Sequence, residues 1–324
     1  MSAMSAKVLR IRELEAGFAT KRGIVKAVDN VTLDLSEGEF LGIAGESGCG
    51  KSTLAYAILG LLEENGRIFS GEVIYKNTKL TSLSQRELRK IRWNRISMVF
   101  QSAMNALNPV LKVREQLMDV ALTHQTRMNE KKAKERSVEM LELVDIAPDR
   151  LDAYPHQLSG GMRQRVMIAM ALLLQPEVII MDEPTTALDV VVQRTIIDKI
   201  EELRKQFGFS VIFITHDLSL LVEISDRLAI MYGGEIVEYG PSAMVYEKPG
   251  HPYTAGLMRS FPPLMGEMDR CGGIPGKPPN FLDLPQGCRF HPRCNQCQPV
   301  CTHLKPPDKF KSDGHRASCH FAGF

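Results

Sequence analysis

The sequence predicts an α/β chain of two lobes followed by a loop-rich C-terminal segment. Three observations carry that expectation. A short apolar run, "FLGIAG" (residues 40–45), leads into the glycine-rich "GESGCGKST" (residues 45–53), and helical spacing follows at "STLAYAILGLL". Further short apolar runs recur at "EVIYK", "ISMVF", "VIIMD", "SVIFIT" and "LAIMY" and read as strands. Between them, residues from about 110 to 175 are rich in Lys, Glu, Met and Leu, with a charged face at "NEKKAKERSVEMLELV", and read as helices. Strands that flank a helical insert predict two lobes.

Taken in order, residues 8–45 alternate apolar and polar positions in short runs broken by "TKRG" and "SEGE", a pattern of strands and turns. The glycine loop, its helix and the insert come next. After about Lys248 the composition changes: "KPGHPYTAGLMRSFPP" and "GGIPGKPPNFLDLPQG" are dense in Pro and Gly. The expected division is therefore residues 1–248 and residues 249–324.

Bulk properties exclude several classes. The chain has 324 residues, 44% hydrophobic and 24% charged, which is ordinary for a globular protein. Forty Lys plus Arg against 38 Asp plus Glu leave +2, so no bulk charge argues for a nucleic-acid surface. The N-terminal residues lack the apolar stretch of a signal peptide. The longest purely apolar run, residues 166–174, is nine residues long, whereas spanning a bilayer takes roughly 20. Of seven cysteines, Cys49 lies in the glycine loop and six fall between Cys271 and Cys319, a clustering that suggests metal more than disulfides.

Residues 45–53 fit the pattern G-x-x-x-x-G-K-[ST], with a strand before and a helix after. Gly45, Glu46, Ser47, Gly48, Cys49 and Gly50 form a loop whose N–H groups face a phosphate chain. Lys51 supplies positive charge to the β- and γ-phosphates. Ser52, followed by Thr53, offers a hydroxyl to Mg²⁺ at a helix N-terminus. In "VIIMDEP" a strand ends in two adjacent carboxylates: Asp182 suits metal binding through water, and Glu183 suits orienting or deprotonating the attacking water. His216, just beyond "SVIFIT", is expected near the γ-phosphate if these strands end side by side. Gln101, after "ISMVF", is an amide able to reach Mg²⁺ or the water. Phe18 is placed either to stack on adenine or to fill the core.

A second anion holder stands at "LSGGM". Ser159 is a good N-cap, while Gly160 and Gly161 leave the first N–H groups of the next helix uncovered. The phosphate loop, Gln101, "LSGGM", "VIIMDEP", "TALD" and His216 come in the order and rough spacing of an ATP-binding cassette (ABC) transporter ATPase, and residues of about 8–245 resemble that family. The resemblance implies a P-loop NTPase fold: a RecA-like core, an antiparallel β subdomain and a helical subdomain at about 102–165. It implies two cassettes facing head to tail, the "LSGG" segment of each closing over the ATP held by the other. It assigns Phe18 to the adenine and Asp189 to the cassette interface. Met162 departs from the commoner "LSGGQ", but "LSGGMRQRVMIAMAL" as a whole looks like the oligopeptide/dipeptide importer branch. That branch implies two transmembrane permease subunits, an extracytoplasmic solute-binding protein, and a peripheral place on the cytoplasmic face of the cell membrane. Its solutes include dipeptides, oligopeptides, nickel, opines and oligosaccharides. A soluble ABC ATPase acting on nucleic acid is the remote alternative; such relatives carry a long coiled coil or two cassettes, and this chain has neither.

Cys288, Cys294, Cys301 and Cys319 are separated by five, six and seventeen residues, with Cys297 inside the second gap. Such spacing is compatible with a 4Fe-4S cluster, a Zn²⁺ site or free thiols. "HPYTAGLMRSFP" and "GCRFHPRCNQCQPVC" resemble the C-terminal extension of the peptide-importer ATPases, which implies a 4Fe-4S cluster on Cys288, Cys294, Cys301 and Cys319. Cys297 is extra to that pattern and Cys271 is a bystander.

Overall fold

The computed structural model describes residues 6–100, 106–125, 128–186, 188–260, 273–311 and 314–323. Two long strands, β1 (Lys7–Thr20) and β2 (Gly23–Ser36), precede β3 (Phe40–Ala44) and α1 (Lys51–Leu59). There follow β4 (Gly66–Tyr75), β5 (Thr78–Lys79), α2 (Gln85–Ile91) and β6 (Ile96–Val99). The helical stretch contributes α3 (Val113–His124), α4 (Glu130–Leu143) and α5 (Gly160–Leu172). Then come β7 (Val178–Asp182), α6 (Val190–Phe207), β8 (Ser210–Ile214), α7 (Leu218–Ile224), β9 (Arg227–Tyr232) and β10 (Glu235–Pro241). The chain continues through α8 (Ser242–Glu247), α9 (Pro252–Arg259), α10 (Pro299–His303), β11 (Asp308–Phe310) and β12 (Arg316–Ser318). No described helix is long and apolar enough to cross a membrane.

The chain forms two compact units. The first comprises residues up to Val8, Leu35–Glu39 and Ser82–Ile212. Here β6 and β7 pair in parallel, Ile96 opposite Val178 through Val99 opposite Met181, and β8 lies beside β7. Every residue of β7 and β8 is buried, as expected of parallel strands covered on both faces. Helix α5 is apolar and buried from Val166 to Leu172, with Val166 and Ala169 fully buried. Polar ties fix its neighbours: Arg136 donates to Leu173 O at 3.1 Å, and Arg165 donates to Asp145 O at 3.0 Å. Helix α6 instead buries one stripe, Ile196, Ile197, Ile200 and Leu203, at the spacing of an amphipathic helix.

The second unit comprises Leu9–Asp34, Phe40–Thr81 and Phe213–Phe324. One of its sheets runs in the order β2-β1-β4-β5, with β1 and β4 antiparallel. The other orders β11-β12-β10-β9-β3, with the end of β8 on the far side of β3. β3 and β9 are parallel, whereas β9–β10, β10–β12 and β11–β12 are antiparallel. The two C-terminal strands thus extend the sheet of the phosphate loop, although their composition predicts loop.

A buried carboxylate anchors that addition. Glu238 on β10, fully buried, accepts from Gly250 N–H (2.6 Å), His251 N–H (2.9 Å) and the His315 ring nitrogen (2.7 Å). Three partners give the buried carboxyl group the hydrogen bonds that water would otherwise supply. His251 in turn caps α9, its Nδ1 accepting from Tyr253 N–H at 3.0 Å. Burial pushes the His251 pKa down to about 3, which keeps that acceptor unprotonated.

Candidate functional site

The phosphate loop leaves the end of β3 in a conformation that only glycine supports at two points. A Cβ on Gly45 would lie 2.2 Å from Met231 O, and one on Gly50 would lie 2.0 Å from Ala27 O. Both also have positive φ, 154° and 113°. Gly50 is the N-cap of α1 and supplies no side-chain acceptor, so the first N–H groups of the helix face the loop's concavity. Lys51 is nearly buried, and its Nζ donates to Gly45 O (2.7 Å) and Glu46 O (3.0 Å). The ammonium is therefore held across the loop by two carbonyls. Burial outweighs the nearby Lys51 charge and raises the Cys49 thiol pKa, so Cys49 packs as a neutral side chain. A cradle of glycine backbone, a fixed cation and an uncapped helix start fits a polyphosphate.

In the same unit, β8 neighbours β3, and Thr215 N–H donates to Ile43 O at 3.4 Å. His216 follows directly, so it leaves the sheet at the end where Gly45 begins. Its side chain is exposed, and Asp217 caps α7 by accepting from Leu220 N–H at 3.1 Å. Phe18, near the end of β1, is half-buried and lies across from Gly66. It is not a core residue.

The other unit carries the remaining candidates. β7 ends at Asp182, whose side chain is fully buried. Glu183 follows with φ 46°, a left-handed conformation that is uncommon for a non-glycine residue and costs of order 1–3 kcal/mol. Thr186 Oγ1 donates to its carboxylate at 3.2 Å. This strained turn redirects the chain immediately after the strand, and a single-sequence reading cannot detect it. Ser159 caps α5, its Oγ accepting from Met162 N–H at 3.2 Å, with Gly160 and Gly161 as the first helical residues. A Cβ on Gly161 would lie 2.7 Å from Val192 Cγ1, so the starts of α5 and α6 touch. Asp189 caps α6 by accepting from Val192 N–H at 3.0 Å. The "LSGG" segment and Asp189 are thus brought together, far apart as they are in sequence. Gln101 lies outside the described residues.

The expected metal site is not drawn together. Among the described residues no group of three or more His, Cys, Asp or Glu side chains is arranged to hold a metal ion. Cys288, Cys294, Cys301 and Cys319 do line one pocket, with His251, Phe290 and His291. Its volume is about 20 Å³, room for roughly one water. Burial pushes the Cys288 pKa up to about 12, with Cys319, Cys301 and Cys294 adding to the rise. Four thiols facing one pocket are the right chemistry for iron or zinc. Cys297 is exposed and does not line the pocket. Cys271 lies outside the described residues.

A larger cavity, about 210 Å³, is walled in part by Asp29, Glu235, Arg289, Lys305, Asp308 and Arg316. Those charges are already paired: Arg289 with Asp29, Lys305 with Glu235 at 2.6 Å, and Arg316 with Asp308 at 3.0 Å. Nothing there calls for a charged ligand. Two residues that sequence reading passed over do bear on the phosphate loop. Tyr253 and Arg293 both bond Glu46, from 207 and 247 positions away, and no local spacing signals such partners.

Residues 28–186 match the family described as ABC transporter, and residues 237–301 match the oligopeptide/dipeptide transporter C-terminal region. The dipeptide transport ATP-binding protein DppD of Caldanaerobacter subterraneus is 43% identical over 315 residues, 97% of this chain and 96% of that protein. The oligopeptide transport ATP-binding protein OppD of Escherichia coli is 45% identical over 312 residues, 96% of this chain and 92% of that protein. Among solved structures, the ATP-binding cassette MJ0796, a dimer in a post-hydrolysis state with ADP and Pi, superposes with a TM-score of 0.65. It is 31% identical and covers 72% of this chain and 98% of its own. The chain belongs to the ATP-binding subunits of the ABC transporter family.

Proposed function

We propose that the chain is the ATP-hydrolysing subunit of a membrane importer of dipeptides and oligopeptides, working at the cytoplasmic face of the membrane. The observation that carries this reading is the near full-length likeness to peptide transport ATP-binding proteins, which continues through residues 237–301. On this reading the cassette is residues 1–248, with a helical subdomain at about 102–165, and residues 249–324 are the C-terminal extension.

Residues 45–53 bind the phosphates of ATP, a role supported by the glycine cradle and the clamped Lys51 ammonium. Phe18 stacks on the adenine. Ser52, Asp182 and Gln101 would hold Mg²⁺, and the ion would supply positive charge to the phosphate oxygens. Glu183 accepts the proton of the attacking water, and His216 meets the γ-phosphate. Ser159, Gly160 and Gly161 close over ATP held by a second, head-to-tail cassette, with Asp189 at the interface. Two transmembrane permease subunits and an extracytoplasmic solute-binding protein complete the assembly, and no nucleic acid takes part. Reconstitution with those partners in proteoliposomes tests the reading. MgATP-dependent uptake of a labelled dipeptide is the expected result; uptake of nickel, an opine or an oligosaccharide instead would overturn the peptide assignment.

The cysteines of the extension remain part of this proposal as a 4Fe-4S site on Cys288, Cys294, Cys301 and Cys319, with Zn²⁺ as the alternative. Their shared pocket supports it. Anaerobically purified protein is expected to be brown and to contain iron with acid-labile sulfide. A colourless sample with stoichiometric zinc would replace the cluster by zinc, and a metal-free sample would leave four plain thiols.

A further inference from the structure

Glu46 puts a carboxylate into a loop whose task is to hold a polyanion. Alone, that charge would oppose the nucleotide, because like charges at close range disfavour each other, most of all where water is excluded. The structure neutralises it from the C-terminal segment. Arg293 Nη1 donates to Glu46 Oε2 at 2.6 Å and Nη2 donates to Oε1 at 2.8 Å, the parallel two-bond geometry in which guanidinium and carboxylate bind best. The Arg293 side chain is 4% exposed, so the pair is largely desolvated on the arginine side.

Arg293 is itself held in place. Its Nε donates to Pro275 O at 2.7 Å, and its guanidinium lies 5.7 Å from the Tyr232 ring centre and 5.9 Å from that of Phe290. Tyr232, Tyr253 and Phe290 pack on one another with centroids 4.6–5.4 Å apart. From the same aromatic cluster, the buried Tyr253 hydroxyl accepts from Glu46 N–H at 2.9 Å. The next carbonyl, Glu46 O, takes the Lys51 ammonium. One residue of the loop is therefore fixed at its N–H and carboxylate by the C-terminal segment, and at its carbonyl by Lys51.

We infer that Arg293 is a positioning residue of the nucleotide site: it cancels the Glu46 charge and, with Tyr253, sets the loop for the phosphates. This rests on residues 45–53 being the ATP site. The turn that carries Arg293 lies between Cys288 and Cys294, so the packing of the cysteine pocket bears directly on the loop.

The test is a charge-rescue series on the full chain, read as the Kd of the fluorescent analogue mant-ATP with Mg²⁺, beside the melting temperature without nucleotide. Arg293→Gln is expected to weaken binding at least about tenfold, about 1.4 kcal/mol. The double variant Arg293→Gln/Glu46→Gln is expected to recover to within about threefold of wild type, since both halves of the pair are then neutral. A purely structural arginine predicts otherwise: a lower melting temperature with an unchanged Kd, or a weakened Kd that the double variant does not recover. Either an unchanged Kd or failed recovery overturns the inference. Should Arg293→Gln not fold, Arg293→Lys carries the test; it keeps the charge but loses the fork, so a smaller loss is expected and wild-type affinity overturns the inference. If the wild-type chain itself does not bind mant-ATP, the ATP reading fails instead.

Discussion

Glu183→Gln is expected to lower ATP turnover by about a hundredfold or more while MgATP still binds. The side chain follows the buried strand β7 and stands on a residue with φ 46°. A glutamine has the same shape, and its amide oxygen can still accept from Thr186 Oγ1, as the glutamate does at 3.2 Å. The strained turn is therefore retained, and only the ability to take a proton is lost. Phosphate release and nucleotide binding, measured on the same preparation, separate the two functions. Hydrolysis at the wild-type rate would remove Glu183 from its role as base.

Ser159→Arg is expected to cut the turnover of the assembled transporter by about a hundredfold or more, while mant-ATP binding by the isolated chain stays unchanged. Ser159 covers the start of α5 by accepting one hydrogen bond from Met162 N–H at 3.2 Å, and Gly160 and Gly161 add no side chain there. Losing that cap costs the helix only about 1 kcal/mol, too little to unfold a helix whose Val166 and Ala169 are fully buried. The larger expected effect comes from the bulk of a long side chain at the place proposed to meet a second cassette's γ-phosphate. Normal turnover in the assembly would mean that α5 does not complete the partner's site. Weakened binding by the isolated chain would mean that Ser159 acts on its own nucleotide.

The split between these two variants follows from how the chain is built. Each candidate element of the site is encoded locally: glycines at positive φ in the loop, a strand that ends in Asp182 and Glu183, and a serine-capped helix. Local backbone rules act within a few residues, so a single sequence displays them. The strands at residues 96–99, 178–182, 210–214 and 227–232 were legible for the same reason, being short, mostly apolar runs buried along nearly their whole length.

What sequence spacing could not show is held by contacts between distant residues. The three-residue strands β11 and β12 are too short for any periodicity, and they exist because β10 offers an edge and Glu238 a buried anchor for His315. The Glu183 turn depends on its surroundings rather than on its own residue type, since a glutamate seldom adopts positive φ unaided. Glu46 meets Arg293 only after the sheet has brought 247 positions of chain back on themselves. The sequence alone thus displayed the groups proposed to act on phosphate. Tertiary structure decided how those groups are charged and held, because pairing and desolvation belong to the folded interior and not to any local stretch of chain.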